Sequence, residues 1–233
     1  MTNDMDLKSY NDQYKILTAV DCIIFGFDGT QLKALLIKRP FEPEKGKWSF
    51  MGGFVGEMEG TDEAATRVLY QLTGMRNIYM EQLYTFGDVN RDSAGRVISI
   101  AYFALISLLD YNEPLQPEHE AKWFPLSEIP ILIFDHKKLL LKAKERLRQK
   151  AVNHPIGFEL LPPKFTLPQL QSLYEAIYQM PVDRRNFHRK IRSLGILNKL
   201  DEKEKSSSKK GAFYYVFDRE KYITVELNSG KFI

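Results

Sequence analysis

Three glutamates, Glu57, Glu59 and Glu63, stand close together in the chain, with Arg67 just beyond them. Carboxylates at such spacing could hold a hard divalent cation through oxygen, and a bound cation could activate water. A second cluster lies far downstream, where Arg184, Arg185, Asn186, His188, Arg189, Lys190 and Arg192 crowd together. Cations at that density suit a polyanion, above all the phosphates and base edges of DNA. A run of like charge is more often a solvated face than a site, so each cluster needs a structural context.

The first cluster sits in GGFVGEMEGTDEAATRVLYQLTGM, residues 52–75. Gly53, Glu59, Arg67, Leu69, Gly74 and Met75 fall at the intervals of G-x5-E-x7-R-E-U-x-E-E-x-G-U, with U apolar. The segment therefore resembles the Nudix box, and several residues at fixed spacing are far more specific than a lone glycine motif. Lys47–Gly53 resembles the family's lead-in strand, and Phe124-Pro125-Leu126 to His136 its closing segment, so the likeness covers about residues 15–150. It implies a Nudix-type α/β/α sandwich in which Glu59 pairs with Arg67. In family hydrolases the glutamates of R-E-U-x-E-E hold the metal. Here those positions are Val68, Gln71 and Leu72. Residues spaced by three and four share a helix face, so one surface loses three carboxylates together. Valine and leucine offer no ligand, and an amide is a poor substitute for a charge. The expectation is a scaffold kept without its catalyst: no catalytic residue, no metal, no cofactor. Glu57, Glu59 and Glu63 are the groups that could improvise a metal site.

The elements that must carry these residues can be read from spacing. Ala19–Phe27 and Leu32–Ile37 are apolar runs joined by Asp28-Gly29, a hairpin signal. Thr61–Thr73 has Ala65, Val68, Leu69 and Leu72 on one helical face, with Thr61 as N-cap and Gly74 as the stop. Val97–Leu109 reads as a long strand, and Asp135–Lys150 as a charged surface helix. The breakers His154-Pro155, Gly157 and Pro162-Pro163 place a domain boundary near 155. The expected division is 1–155 and 156–233.

Composition agrees with a globular chain. Of 233 residues, 44% are hydrophobic and 27% charged, which argues against disorder. Cys22 is the sole cysteine and cannot form an internal disulfide; within Cys22-Ile23-Ile24-Phe25 it reads as a buried, reduced thiol. The N-terminal stretch carries Asp4, Asp6 and Asp12 rather than the positive start of a secretory signal. No apolar run is long enough to span a bilayer, so a cytoplasmic protein with no membrane partner is expected. Residues 1–150 hold 19 Lys/Arg against 21 Asp/Glu, a net of −2, whereas residues 151–233 hold 14 against 9, a net of +5. The second part is the one expected to meet a polyanion.

That second part reads as a winged helix-turn-helix. Thr166 with Gln169 forms a capping box, and Leu170, Leu173, Tyr174 and Ile177 follow at helical spacing. Asp183 caps a second helix with an apolar back of Phe187, Ile191 and Leu194 and an arginine-rich front. Gly195 ends it. Lys199–Lys210 and Ala212–Phe217 then form a hairpin wing, whose Lys203, Lys205, Lys209 and Lys210 could lie along a DNA backbone. Residues 203–210, with Ser206-Ser207-Ser208, read as a low-complexity mobile loop.

A degenerate Nudix box fused to a C-terminal winged helix resembles the Nudix-related transcriptional regulators. The likeness extends over Tyr84–Gly87, Asn90-Arg91-Asp92, Ser99–Phe103, Ile133–His136 and Arg184–Phe187. It implies a repressor acting on a palindromic DNA operator as a homodimer, with a small-molecule effector in the Nudix domain. One branch of the family responds to ADP-ribose, others to pentoses such as arabinose or xylose. A pyrophosphate ligand would favour basic groups such as Lys38, Arg39 and Arg91. A neutral sugar would need no metal and would favour Trp48, Gln71, Phe134 and Asp135; His136 completes the candidate set. The missing carboxylates lean the expectation towards a pentose. Rival readings are an active Nudix hydrolase of a nucleoside diphosphate derivative and a module whose basic helix meets an acidic protein.

Overall fold

The computed structural model describes residues 13–111, 114–153, 160–205 and 210–228. Strand β1 (Leu17–Phe27) organises the first half. Its whole length pairs in parallel with β6 (Val97–Ser107), while its other edge pairs antiparallel with β2 (Leu32–Lys38) and then β4 (Met51–Phe54). Strands β3 (Trp48–Ser49) and β7 (Lys122–Pro125) flank β2, and β5 (Glu81–Phe86) flanks β6. Among the described residues this gives a seven-stranded mixed sheet.

The sheet is buried on both faces, and β1 shows how. Successive side chains point to opposite faces of a strand. Val20, Cys22 and Ile24 pack with Ala64, Ala65, Val68 and Leu69 of helix α1 (Thr61–Thr73). Ile23, Phe25 and Phe27 pack with Leu139, Ala143 and Leu147 of helix α2 (His136–Asn153). The result is the α/β/α sandwich. Burial pushes the Cys22 thiol far above its ordinary range, so it stays protonated and inert.

Two local expectations change. The N-cap of α1 is Gly60 rather than Thr61, because Glu63 reaches back to accept from the Gly60 N–H at 2.8 Å. Gly74, in the left-handed region, does end the helix. Helix α2 is no mere surface helix: Leu139, Leu140, Ala143, Leu147 and Ala151 are all buried. One part of this set meets the sheet. The rest belongs to the same apolar cluster as Leu167, Leu170, Leu173 and Tyr174 of the C-terminal half. The expected boundary near 155 lies outside the described residues.

That half begins with β8 (Lys164–Thr166) and α3 (Leu167–Tyr178). Thr166 caps α3, accepting from Gln169 N while its own N–H donates to Gln169 Oε1 at 2.8 Å. Helix α4 (Arg184–Ser193) follows, then the hairpin β9 (Leu197–Glu204) and β10 (Ala212–Phe217), and α5 (Arg219–Asn228). Strands β8, β10 and β9 form a small antiparallel sheet, completing a winged helix. Lys203 belongs to β9 and not to a loop; Ser206–Lys209 lie outside the described residues. Among the described residues no helix is long and apolar enough to cross a membrane.

Because Leu147 is only 2% exposed within the shared cluster, Leu147→Ala should cost about 2–5 kcal/mol in denaturant unfolding. A loss below about 1 kcal/mol would mean that α2 is not packed as described.

Candidate functional site: a polar cleft and an arginine-fronted helix

A cleft open to solvent lies between β1, β4, the loop after β2 and the start of α2. Asp21 stands at its floor, a lone carboxylate in the apolar run of β1. Ser99 donates to Asp21 Oδ2 at 2.6 Å, and the Arg91 guanidinium donates to the same oxygen at 3.2 Å. Arg91 also grips Asp135 through two hydrogen bonds of 3.1 and 2.9 Å. All four residues are buried. Burial opposes the charge on Arg91, but the neighbouring Asp21 and Asp135 outweigh it and raise its pKa. Gly52 must be glycine here, since a Cβ would stand 2.7 Å from Asp21 Oδ1.

His136, the first residue of α2, completes the floor. Its Nδ1 accepts from the Phe50 N–H at 3.1 Å, so the proton of the neutral ring sits on Nε2, 3.6 Å from Asp21 Oδ1. Burial holds the imidazole below its ordinary value, against the pull of Asp21. A neutral ring with Nδ1 already engaged is an orienting group and not a free base.

Aromatic rings and one cation form the wall. Arg39 lies 4.1 Å from the Phe41 ring centroid and 5.2 Å from that of Phe134. Its Nε–H faces the carbonyls of Phe41 and Pro43 at 3.1 and 2.6 Å. Phe134 adopts φ 45°, a left-handed conformation that bulky side chains rarely take. Such backbone strain clusters at binding sites, where the surrounding structure holds it.

The structure brings Arg39, Arg91, Phe134 and His136 to this cleft. Asp135 is spent on Arg91 and faces a neighbouring hollow instead. Trp48 is placed elsewhere: its ring packs edge-on against Phe124 at 4.7 Å, beneath Lys38. Gln71 is exposed outside the cleft, accepting from Arg67 at 3.1 Å. Sequence reasoning missed Asp21, Ser99, Phe41 and Phe54. Only Asp21 gave a signal, as a charge inside a strand otherwise fit for a core.

The Nudix-box positions do not form a metal donor set. Val68 is buried against Gly53, where an added Cβ would stand 2.6 Å from Val68 Cγ2, and Leu72 lines the cleft. Arg67 and Glu59 pair directly, and this pairing together with the Gly56 N–H holds the Glu59 carboxyl down at about 2. Glu63 is taken by the helix cap and Glu57 is exposed. The residues present do not fit the family's cation.

The second site is α4. Asp183 caps it, accepting from Asn186 N at 2.7 Å, and Phe187 and Ile191 bury its back. Arg184, Arg185, His188, Arg189 and Arg192 line a shallow concavity on its front. Arg189 donates to Asn186 Oδ1 at 2.8 Å, and Lys190 is exposed beside them. His188 is half-buried against Phe187, and burial with the charges of Arg184 and Arg192 lowers its pKa. Arg184 and Arg185 occupy the first turn, where the helix dipole is positive and repels cations. An anion placed there would relieve this repulsion. In the wing, Lys199 and Lys203 lie over the Phe213 ring at 3.5 and 4.4 Å, and Lys205 and Lys210 are exposed. Lys209 lies outside the described residues.

Known proteins share both halves. Residues 15–146 match the family model of the NUDIX domain, and residues 157–217 that of the NrtR DNA-binding winged helix domain. The ADPR responsive transcriptional repressor NtrR of Acinetobacter baylyi is 34% identical over 88% of this chain and 84% of its own. Shewanella oneidensis NrtR complexed with a 27mer DNA superposes with a TM-score of 0.75 at 32% identity, over 88% of this chain and 94% of that one. Its NUDIX domain complexed with ADP ribose gives 0.54 at 33% identity, over 63% and 99%. An ADP-ribose pyrophosphatase of Methanocaldococcus jannaschii is 35% identical over 62% of this chain and 81% of its own.

His136 generates a prediction about pH. Its folded pKa lies below the ordinary 6.5, so the unfolded chain takes a proton that the folded form refuses. The stability it confers is full above about pH 6.5 and falls as pH drops below it. In denaturant unfolding between neutral and mildly acidic pH, His136→Gln should flatten this fall. An undiminished fall in the variant would assign the effect to other groups.

Proposed function

The chain belongs to the family of regulators that join a Nudix domain to an NrtR-type DNA-binding winged helix, and on that premise we propose that it is a transcriptional repressor released from DNA by ADP-ribose. The observation that carries the reading is the front of α4. Four arginines line one face of a capped helix whose other face is buried, and two of them oppose the helix dipole. Arginine recognises guanine through O6 and N7 and phosphate through paired N–H groups. The wing's Lys205 and Lys210 would add backbone contacts. A homodimer on a palindromic operator is the assembly this family geometry suits.

The choice of effector moves from a pentose to ADP-ribose. The sugar reading calls on Trp48, Gln71, Phe134 and Asp135 for ring and hydroxyl contacts, and of these only Phe134 lines the cleft. Gln71 and Trp48 lie away from the cleft, and Asp135 is committed to Arg91. What the cleft offers is Arg39 among Phe41 and Phe134, with the Gly52–Gly53 backbone at its base. A cation, aromatic faces and a close backbone suit an anionic nucleotide derivative better than a neutral sugar. The relatives named above support the same choice, being responsive to ADPR in one case and complexed with ADP ribose in another.

In this reading the domain binds without hydrolysis. The Nudix helix presents Val68, Gln71 and Leu72 where an acidic set would be needed, so this face of the helix supplies no carboxylate for a cation that would polarise the diphosphate. His136 orients, and Arg39 with the aromatic wall holds the ligand.

Operator binding followed by fluorescence anisotropy should weaken as ADP-ribose is added, and operator should weaken ADP-ribose binding by the same factor. Relief by arabinose but not ADP-ribose would reinstate the sugar. Turnover of ADP-ribose with Mg²⁺ or Mn²⁺ at ordinary enzyme rates would overturn the non-hydrolytic reading. Replacing Arg185 or Arg189 with alanine should cost about 1–3 kcal/mol for each base contact; no loss would favour an acidic protein partner.

A further inference from the structure

Helix α2 carries a dense set of cations, and most are spoken for. Lys138 pairs with Asp88 at 2.6 Å and Lys142 with Glu145 at 2.7 Å, while Arg146 and Lys150 share Glu81 at 3.5 and 3.2 Å. Lys144 and Arg148 differ. Both converge on one neutral atom, Gln179 Oε1, at 3.2 and 3.3 Å. Neither has a carboxylate partner among the described residues.

The place of that amide gives the pair its meaning. Gln179 ends α3 in the left-handed conformation, φ 57°, at the head of the turn that leads to Asp183 and α4. In a helix-turn-helix the N-terminal residues of the second helix reach base edges. The turn before it therefore travels close to the duplex. Two cations belonging to the other domain are thus fixed at the DNA-proximal turn.

We infer that Lys144 and Arg148 are DNA phosphate contacts, so that the DNA-binding surface extends beyond the winged helix onto α2 of the Nudix domain. The inference rests on the DNA-binding reading above and deepens it. Two cations held by one oxygen lie within 6.5 Å of each other. Their repulsion meets no counter-charge among the described residues, and burial together with Arg148 lowers the Lys144 pKa. A phosphate oxygen supplies the missing charge, and Arg148 is exposed to receive it. Gln179 acts as a positioning residue, holding both side chains at the turn until DNA arrives. The contact carries no sequence information, because phosphates present the same oxygens at every base pair.

The test uses the full-length chain and a duplex that it enriches from a random-sequence library, with affinity measured across a KCl series. K144Q/R148Q should reduce the slope of log affinity against log salt by about 0.9 per lost contact, while enriching the same sequences as wild type. Arg189→Ala should instead change the enriched sequences. Arg148→Gln alone, at an exposed position, should give half the effect, which covers the case in which the double variant fails to fold. An unchanged slope with binding intact would overturn the inference and leave the DNA reading standing; a fall in affinity at unchanged slope would assign the pair to domain docking alone. If wild type enriches no duplex, the DNA reading falls and this inference with it.

Discussion

The charge of Arg91 is the constraint on which the cleft depends. A guanidinium 5% exposed is tolerable only when its donors are met by opposite charge in good geometry. Asp21 meets it from β1 and Asp135 from the residue before α2, which fixes three separate pieces of chain to one point. The bond to Asp21 sets the depth of the cleft floor. The bidentate bond to Asp135 sets where α2 begins, and with it the position of His136. Remove the cation and two carboxylates are left buried at close range, which neither burial nor Ser99 can offset.

What begins at that point extends a long way. An eighteen-residue helix spans roughly 27 Å at 1.5 Å per residue, and α2 spends that length between two partners. Leu139, Ala143 and Leu147 face the large sheet, while the same apolar cluster continues into α3. The polar face repeats the arrangement: Arg146 and Lys150 hold β5, and Lys144 and Arg148 hold the turn after α3. A helix gripped on both sides moves as a unit or not at all, because packed interiors resist gradual deformation.

The sequence made the local grammar plain and hid the long-range pairings. The apolar run of β1, Gly74 as a left-handed stop, the Thr166–Gln169 box and the Asp183 cap are each decided by neighbours a few residues away. The partners of Asp21 lie 70 and 78 residues on, and no local pattern announces them. Helix α2 reads as a surface helix because its cations dominate its composition, while its aliphatic positions serve two partners and blur the single stripe. Trp48 and Gln71 suit a sugar by residue type, and type alone does not say which way a side chain points. Thr61 yields the cap to Gly60 because the Glu63 carboxylate accepts from the Gly60 N–H, the half of a capping box that needs no side chain at the cap.

These facts give regulation a geometric basis. A ligand shifts a protein between two arrangements only by binding one of them better. His136 is part of the cleft floor, so a ligand seated in the cleft as proposed above would discriminate between positions of the first turn of α2. The far half of that helix is clasped to the segment that aims α4. On the reading proposed above, any preference the ligand has at one end would be expressed through this element as a preference for where the arginines stand at the other. The loss of carboxylates at Val68, Gln71 and Leu72 fits the same logic. On the non-hydrolytic reading proposed above, a ligand that dwells intact would put its differential binding into shifting the population of DNA-competent molecules.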